Sequence, residues 1–325
     1  MPEEIQAYLG QDWESVQEGI RACLGTDISL LNAINSGLLE HPGKQLRPML
    51  ALLMARACSP QGRANRDSIR FAVASELLHN ATLLHDDVAD ESDQRRGNPT
   101  VRALIGPSAS VLVGDFWLVR AVMAILEAGL GQNMAISLFS KTLSDLAEGE
   151  MLQLQKAASG DTLLEDYLDI IYRKTASLFV STMTLAAVSV GASEEIVETA
   201  AEYGRCLGLA FQMRDDIFDY MPAAEIGKPV GADIMERKIT LPLLCALDNV
   251  EEDERKNIRE KITAITPENR DTVMEFVRKN GGIEGAQTVL EKYTADAVAA
   301  LSVLPESRDR DILEKLSLGL SRRIK

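Results

Sequence analysis

Two acidic clusters with identical spacing are the feature of this 325-residue sequence that most clearly suggests chemistry. The pattern Asp-Asp-x-x-Asp occurs at 86–90 and again at 215–219. On a helix, positions i and i+4 lie one above the other, about 6 Å apart at Cβ, so the first and last Asp of each cluster would share a face. Carboxylates this close raise each other's pKa unless a cation intervenes, and Mg2+ binds carboxylates, water and substrate phosphates. The repetition favours Mg2+ sites over a solvated acidic surface.

Basic side chains near both clusters could hold phosphate groups. Arg95 and Arg96 follow the first cluster. Arginine matches phosphate oxygens, but closing the end of the same helix explains these residues equally well. Lys228 and Lys238 lie in a Gly- and Pro-rich segment, 221–239, which we interpret as a loop that closes over a phosphate. Solvated lysines are the alternative.

Charge and composition exclude some classes of function. The net charge of -15 argues against binding duplex nucleic acid, which needs a basic face. The four cysteines form no Cys-x-x-Cys pair, so neither a zinc site nor a redox pair is predicted. The acidic N-terminus has no apolar segment of the signal-peptide kind, which predicts a cytoplasmic location.

The elements that must position these residues are predicted to be helices almost throughout. Segments 68–87 and 198–220, which carry the clusters, have the Ala/Leu-rich composition of long buried helices, and strand-like alternation is scarce. Gly97-Asn98-Pro99 is predicted to stop the first of them, Thr240 to cap a later helix, and Asn280-Gly281-Gly282 to separate two C-terminal helices.

One uncharged segment, 175–193, approaches the length of a membrane span. Seven of its residues are Ser or Thr, which favours a buried core helix and no transmembrane segment. No linker composition appears, so we predict a single helical domain over residues 1–325.

Several further motifs, in a fixed order, resemble the trans-isoprenyl diphosphate synthases, which include farnesyl, geranylgeranyl and longer polyprenyl diphosphate synthases. The resemblance covers about residues 43 to 243 and consists of GKQLRP (43–48), HNATLLHDDVADESDQRRG (79–97), GDFWLVRA (114–121), GEMLQL (149–154), KT (174–175), FQMRDDIFDY (211–220) and GKPVGADIMERKITLP (227–242). It implies an all-α fold, a single-domain bundle of long, mostly antiparallel helices around a deep central cavity. It also implies a homodimer, with Mg2+ as the cofactor.

The resemblance implies a role for each matching residue. Isopentenyl diphosphate would be bound by Lys44, Arg47, His79 and Arg96. The allylic diphosphate would be bound by Arg95, Lys174, Thr175, Gln212, Lys228 and Lys238. Mg2+ would be bound by Asp86, Asp90 and Asp215. The catalytic set would comprise these three carboxylates, the supporting Asp87, Asp216 and Asp219, and the lysines Lys174 and Lys238. Gln45 replaces a basic residue that is common in the family.

The implied reaction is elongation of a prenyl chain, and small side chains before the first cluster predict a long product. Ala81 and Thr82 stand where family members with short products tend to have Phe or Tyr. The growing chain could therefore pass along the helix toward its N-terminus. The candidates for limiting its length are Leu77, Leu78 and Met123. One helical turn rises about 5.4 Å, close to one isoprene unit, which predicts roughly C30 to C40 from a farnesyl or geranylgeranyl primer, as for a quinone side chain. A transient membrane contact during product release is compatible with such a product.

Four other functions stay open at this point. A shorter-chain farnesyl or geranylgeranyl diphosphate synthase would share these motifs. A class I terpene cyclase would not need a second diphosphate site, and usually carries a different second metal motif. A regulatory subunit of a heteromeric synthase tends to lose the Asp clusters. A di-metal carboxylate bundle is disfavoured, because Glu76-x-x-His79 has no second copy.

Overall fold

The computed structural model describes residues 2–95, 97–221 and 230–322, and these are predominantly helical. In chain order the helices are α1 (Pro2–Leu9), α2 (Gln11–Leu24), α3 (Ser29–Glu40), α4 (Leu46–Cys58), α5 (Arg66–Ala89), α6 (Val101–Ile105), α7 (Pro107–Leu126), α8 (Gln132–Ser159), α9 (Leu164–Ile171), α10 (Ser177–Ser189), α11 (Glu194–Tyr220), α12 (Ala232–Met235), α13 (Leu241–Asp248), α14 (Glu252–Thr263), α15 (Pro267–Lys279), α16 (Gly282–Ala300) and α17 (Arg308–Arg322). A π-helical turn, Tyr172–Ala176, joins α9 to α10, and a 3-10 turn, Leu301–Val303, follows α16. The all-α prediction is confirmed.

The strands in the described residues are a single short hairpin. β1 (Gln94–Arg95) pairs antiparallel with β2 (Asn98–Pro99), with Gln94 opposite Pro99 and Arg95 opposite Asn98. It follows the helix that carries the first Asp cluster.

The chain divides into two compact units, and both are discontinuous in sequence. The first comprises Met1–Phe139, Ser181–Ala200 and Leu304–Leu313; the second comprises Ser140–Val180, Ala201–Val303 and Glu314–Lys325. The single-domain interpretation stays a prediction.

Helix α5 is the centre of the first unit and packs against α7, α4 and α2. Its start is fixed by a reciprocal cap, in which the Asn65 carboxamide accepts a hydrogen bond from Ser68 N at 2.9 Å and the Asn65 N–H donates to the Ser68 hydroxyl. Asn65 Nδ2 also donates to the Ser189 carbonyl at 2.6 Å, which joins the start of α5 to the end of α10. These bonds fix the start of the helix whose other end carries the first Asp cluster.

A C-terminal segment completes the first unit. Arg56 of α4 lies over the ring of Tyr8 at 4.7 Å and pairs with Asp309 at 3.1 Å. Arg308 lies over the same ring at 4.4 Å. Residues from the two ends of the chain therefore share one cluster of charged and aromatic contacts.

Close helix packing in the second unit depends on glycines of α11. A Cβ at Gly208 would lie 2.6 Å from Ala176 Cα, and one at Gly204 would lie 2.8 Å from the Phe179 carbonyl oxygen. Such distances are too short for any side chain, so α11 lies directly against the π-helical turn and the start of α10.

The predicted element boundaries hold in most places. Segments 68–87 and 198–220 lie within α5 and α11, Thr240 occupies the N-cap of α13, and residues 280–281 separate α15 from α16. The uncharged segment 175–193 is largely buried, as predicted; Phe179 and Met183 have no exposed surface. The predicted loop 221–239 contains α12, and its residues 222–229 lie outside the described residues.

Candidate active site

The first Asp cluster occupies the C-terminal end of α5. Asp90 is the C-cap of the helix, and its N–H donates to the Asp86 carbonyl at 2.8 Å. Asp90 is exposed and Asp86 is half-buried, whereas Asp87 is only 4% exposed. The cluster therefore presents its first and last carboxylates on the accessible side and buries the middle one, as helical spacing requires.

Arg95 holds the buried middle carboxylate of this cluster. Its Nε donates to Asp87 Oδ1 at 2.8 Å from the β1 strand. The prediction that Arg95 and Gly97-Asn98-Pro99 end the helix is wrong. The helix ends at Ala89, and the chain then turns through Glu91, which has a φ of 51°, into the hairpin. Arg96 lies outside the described residues.

The GKQLRP segment begins α4, and its residues point in different directions. Lys44 is exposed and Arg47 is half-buried in the first turn of the helix. Gln45 has a left-handed backbone, with a φ of 45°, and its side chain accepts a hydrogen bond from Gln17 Nε2 at 3.1 Å. At 8% exposed, Gln45 holds the segment against α2. His79 lies half-buried on α5, where its carbonyl accepts from the Thr82 hydroxyl at 2.8 Å.

The second Asp cluster lies in the last two turns of α11, and its middle carboxylate is again buried. Asp216 is 4% exposed and accepts hydrogen bonds from Tyr167 Oη at 2.7 Å and Gln212 Nε2 at 2.8 Å. The side-chain carbonyl of Gln212 in turn accepts from the Thr175 hydroxyl at 2.8 Å. Burial raises the pKa of Asp216 to about 6, although the two hydrogen bonds oppose that shift.

The outer carboxylates of this cluster differ in their surroundings. Asp215 is exposed. Asp219 caps α12: its Oδ1 accepts from Ala232 N at 3.2 Å and its Oδ2 from Asp233 N at 3.0 Å. Its carbonyl also accepts from Gly231 N at 2.9 Å. Burial, followed by the negative charges of Asp216 and Asp219, raises the pKa of Asp233.

The π-helical turn carries Lys174 and Thr175, which the sequence predicts as a functional pair. A Cβ at Gly149 of α8 would lie 2.7 Å from Arg173 Cβ and 3.0 Å from Lys174 Cγ, so α8 approaches the turn as closely as a glycine allows. Lys174 forms an ion pair with Glu150, the next residue of α8. Turns of this kind are frequent at functional sites, and here the turn aims Lys174 and Thr175 at different partners.

Lys238 also lies beside a carboxylate. It follows α12 and pairs with Glu236, while its N–H donates to the Asp233 carbonyl at 2.8 Å. Lys228, the other predicted lysine of this segment, lies outside the described residues.

The accessible carboxylates suit a cation that completes its shell with water and phosphate. Nowhere in the described residues do three Asp, Glu, His or Cys side chains form a ready metal site. Mg2+ does not require one, because it usually binds one or two carboxylates and keeps several waters. In the first cluster the exposed Asp90 and the half-buried Asp86 fit that requirement, and in the second cluster the exposed Asp215 does; the buried Asp87 and Asp216 do not.

The first unit contains a cavity of about 700 Å³ between α3, α5, the hairpin and α6. Its α5 side is formed by Asn80, Leu83, Leu84 and Asp87, and Arg95 lies at the same wall. The predicted chain-length residues belong to other faces of α5, where Leu78 and Ala81 are buried and Thr82 is half-buried. The tail path along them stays a prediction.

Helix α7 has one apolar side that the chain leaves exposed. Leu112 is 68% exposed and Val119 is 56% exposed, followed along the same side by Met123 and Leu126. By length and composition, α7 is the one helix in the described ranges that could cross a membrane. Its other side, including Val113 and Trp117, is buried, so α7 is a packed helix with one uncovered face.

The sequence did not predict the residues that form hydrogen bonds or ion pairs with the predicted site residues. Tyr167, Asp233, Glu150 and Glu236 are ordinary residues of helix faces or loops when seen in sequence alone. Glu150 stands in the GEMLQL motif and Asp233 in the GKPVGADIMERKITLP motif, so both motifs contained a signal. No local pattern points to Tyr167, because its bond to Asp216 spans 49 residues.

Known proteins are similar to this chain in both sequence and fold. Residues 28–279 match the polyprenyl synthetase family. The octaprenyl diphosphate synthase of Escherichia coli (strain K12) is 38% identical over 96% of this chain and 95% of its own length. A decaprenyl diphosphate synthase from Rhodobacter capsulatus has a similar crystal structure, with a TM-score of 0.92, 33% identity and full coverage of both chains. A polyprenyl synthase from Caulobacter crescentus CB15, solved with calcium and isoprenyl diphosphate, gives a TM-score of 0.89 and 32% identity over 99% of this chain and 98% of that one.

Proposed function

Since the chain belongs to the polyprenyl synthetase family, we propose that it is a Mg2+-dependent prenyltransferase that adds isopentenyl diphosphate to an allylic diphosphate primer. Farnesyl or geranylgeranyl diphosphate serves as the primer, and the product is a linear trans-polyprenyl diphosphate. The observation that carries this proposal is the likeness, over nearly the whole chain, to an octaprenyl diphosphate synthase.

The described residues supply groups for each part of this reaction. Asp86 and Asp90 are the accessible carboxylates that would hold Mg2+ at a first site, and Asp215 is the one that would hold it at a second. When bound, Mg2+ neutralises charge on the leaving diphosphate and so assists cleavage of the allylic C–O bond. Lys174 and Lys238 place positive charge where the diphosphate becomes more negative, which is electrostatic stabilisation of the transition state.

The remaining steps involve the two substrates. As the allylic C–O bond breaks, a carbocation forms, and the double bond of isopentenyl diphosphate attacks it to form the new C–C bond. Loss of a proton to the released pyrophosphate restores a double bond. Lys44, Arg47 and His79 are proposed to bind isopentenyl diphosphate, together with Arg96. Arg95, Thr175 and Gln212, together with Lys228, are proposed to bind the allylic diphosphate.

The product is proposed to be long, roughly C30 to C40, and to serve as a quinone side chain. The small side chains Ala81 and Thr82 are proposed to let a growing tail pass beside α5, where each helical turn of about 5.4 Å corresponds to about one isoprene unit. The octaprenyl product named for the Escherichia coli relative falls in this range.

The enzyme is proposed to act as a homodimer in the cytoplasm. The exposed apolar side of α7 is the kind of surface that another copy would cover, because monomers rarely leave such a patch uncovered. All four cysteines are free, which suits a reducing compartment.

The decisive test is incubation with labelled isopentenyl diphosphate, farnesyl or geranylgeranyl diphosphate, and Mg2+. We expect linear products of roughly C30 to C40 from the wild type. Ala81→Phe should give shorter products, because the phenylalanine ring would block the tail beside α5. Ala81→Ser is the matched control and should keep the wild-type length. Cyclic products, or no incorporation with any primer, would overturn the proposed function. An unchanged product length in a folded, active Ala81→Phe enzyme would overturn the tail path alone.

A further inference from the structure

The cations proposed to bind the allylic diphosphate are held by carboxylates wherever the structure describes them. Arg95 pairs with Asp87, Lys238 with Glu236, and Lys174 with Glu150. Asp87 belongs to the Asp cluster, and Glu236 is a loop neighbour of its lysine. Glu150 differs from both, because a separate helix brings it to Lys174.

The contact between Glu150 and Lys174 is fixed by backbone geometry. Gly149 lets α8 approach the π-helical turn so closely that its missing Cβ would lie 3.2 Å from the Lys174 backbone nitrogen. Gln153, one turn further along α8, donates a hydrogen bond to Glu150 Oε1 at 3.2 Å. The carboxylate is thereby kept beside the lysine.

The same contact remains open to a ligand. The side chains of Lys174 and Glu150 are each 26% exposed, so water reaches the pair and a phosphate oxygen could replace the carboxylate. Arg173, the preceding residue, is surrounded by Asp145, Glu148 and Asp169. That arginine is already matched by three carboxylates, so Lys174 is the better placed of the two for binding an anion.

We propose that Glu150 competes with the diphosphate for Lys174 and thereby weakens binding of the allylic diphosphate and of the pyrophosphate that leaves. This inference rests on the proposed function, and adds to it a residue that sets how readily each diphosphate is released. A synthase that adds several isoprene units must release pyrophosphate after every addition. A lysine that returns to Glu150 each time favours that release.

The test is calorimetric titration of the wild type, Glu150→Gln and Glu148→Gln with inorganic pyrophosphate in the presence of Mg2+. Glu150→Gln removes the competing charge with little change in shape, so we expect pyrophosphate to bind about two- to fivefold more tightly, which is the range that an exposed ion pair supplies. Steady-state turnover should fall as release slows, and KM for the allylic diphosphate should fall with it. Glu148→Gln is the matched control, because Glu148 lies on the same helix as Glu150 but pairs with Arg173 instead of Lys174. This variant should bind pyrophosphate as tightly as the wild type does.

Weaker or unchanged pyrophosphate binding by Glu150→Gln would overturn the proposal, since a residue that only orients Lys174 would weaken binding when altered. Glu150→Asp is a second variant that keeps the charge, and it should stay within about twofold of the wild type. If the wild type turns over and Glu150→Gln binds pyrophosphate with the same affinity, this inference alone is refuted. A wild type that neither turns over nor binds pyrophosphate refutes the proposed function as well.

Discussion

Asp216 belongs to an acidic motif, but it is buried and forms hydrogen bonds with other side chains of the protein. In this motif Asp215 is exposed and Asp219 is half-buried, while Asp216 is buried between Tyr167 and Gln212. Through Gln212 it reaches Thr175 in the π-helical turn. We therefore regard Asp216 as a positioning residue for the groups proposed to bind diphosphate.

The raised pKa of Asp216 predicts a pH-dependent stability. Because the folded-state pKa, about 6, lies above the unfolded value, the folded protein binds a proton that the unfolded chain has lost. This contribution is complete below about pH 4 and disappears as the pH rises through 6. The free energy of unfolding of the wild type, relative to the non-titrating Asp216→Asn, should thus fall by on the order of 1–3 kcal/mol between pH 4 and pH 8.

Urea unfolding of both proteins with the metal removed by chelator measures this difference. A gap between wild type and Asp216→Asn that stays constant with pH would contradict the prediction. Asp216→Ala is a useful comparison. Relative to Asp216→Asn, it leaves the buried Tyr167 hydroxyl without its acceptor and should lower the free energy of unfolding by about 1–3 kcal/mol at either pH.

At the residue scale, the sequence draws attention to the charged side chains of the motifs but not to the residues that bind those side chains. The Asp clusters and Lys174 stand out by type and spacing. Tyr167 does not, since its partner is 49 residues away and only the packing of α9 on α11 brings the two together. Gln45 looked like a missing phosphate ligand, and its left-handed backbone and bond to Gln17 became visible only in the folded chain.

Among the elements, the short helix α12 depends on α11 through one carboxylate. Asp219 accepts hydrogen bonds from two N–H groups at the start of α12, and Lys238 follows that helix. Asp219 is therefore better explained as a cap than as a metal ligand.

We predict that Asp219→Ala frees α12 and displaces Lys238. Loss of a cap costs about 1 kcal/mol locally, so amide exchange at 232–236 should accelerate and KM for the allylic diphosphate should rise about fivefold. Asp219→Asn keeps an acceptor oxygen and caps about as well, so it should resemble the wild type. Hydrogen exchange followed by mass spectrometry, with steady-state kinetics, tests both. If Asn and Ala weaken Mg2+ affinity equally, the charge of Asp219 matters and the capping role is wrong.

The presence of long helices was predictable from composition, as for α5 and α11. The end of α5 was not, because Gly97 and Pro99 are strong stop signals whereas the actual end at Ala89 depends on the turn through Glu91 into a hairpin. The π-helical turn was not predicted either, and the glycines that pack closely against it, Gly149 and Gly208, are remote from it in sequence.

For the molecule as a whole, the uncovered side of α7 predicts the oligomeric state. In a symmetric dimer each substitution acts twice, so Leu112→Glu combined with Val119→Glu should raise the dissociation constant by at least about 100-fold. Sedimentation velocity at micromolar concentration should show a dimer for the wild type and a monomer for the double variant. Met151→Glu is the control: this side chain is 66% exposed on α8, and its substitution should leave the dimer intact. A monomeric wild type would contradict the proposal directly.

The contact of Arg56 and Tyr8 with Arg308 and Asp309 has a consequence for how the protein is made. A ribosome releases the N-terminal residues first, yet their compact unit includes Leu304–Leu313. That unit therefore stays incomplete until residues 304–313 have been synthesised, and helices such as α4 are only partly covered until then. Such a protein depends on rapid synthesis of these residues, or on protection of its exposed apolar surface while the chain emerges from the ribosome.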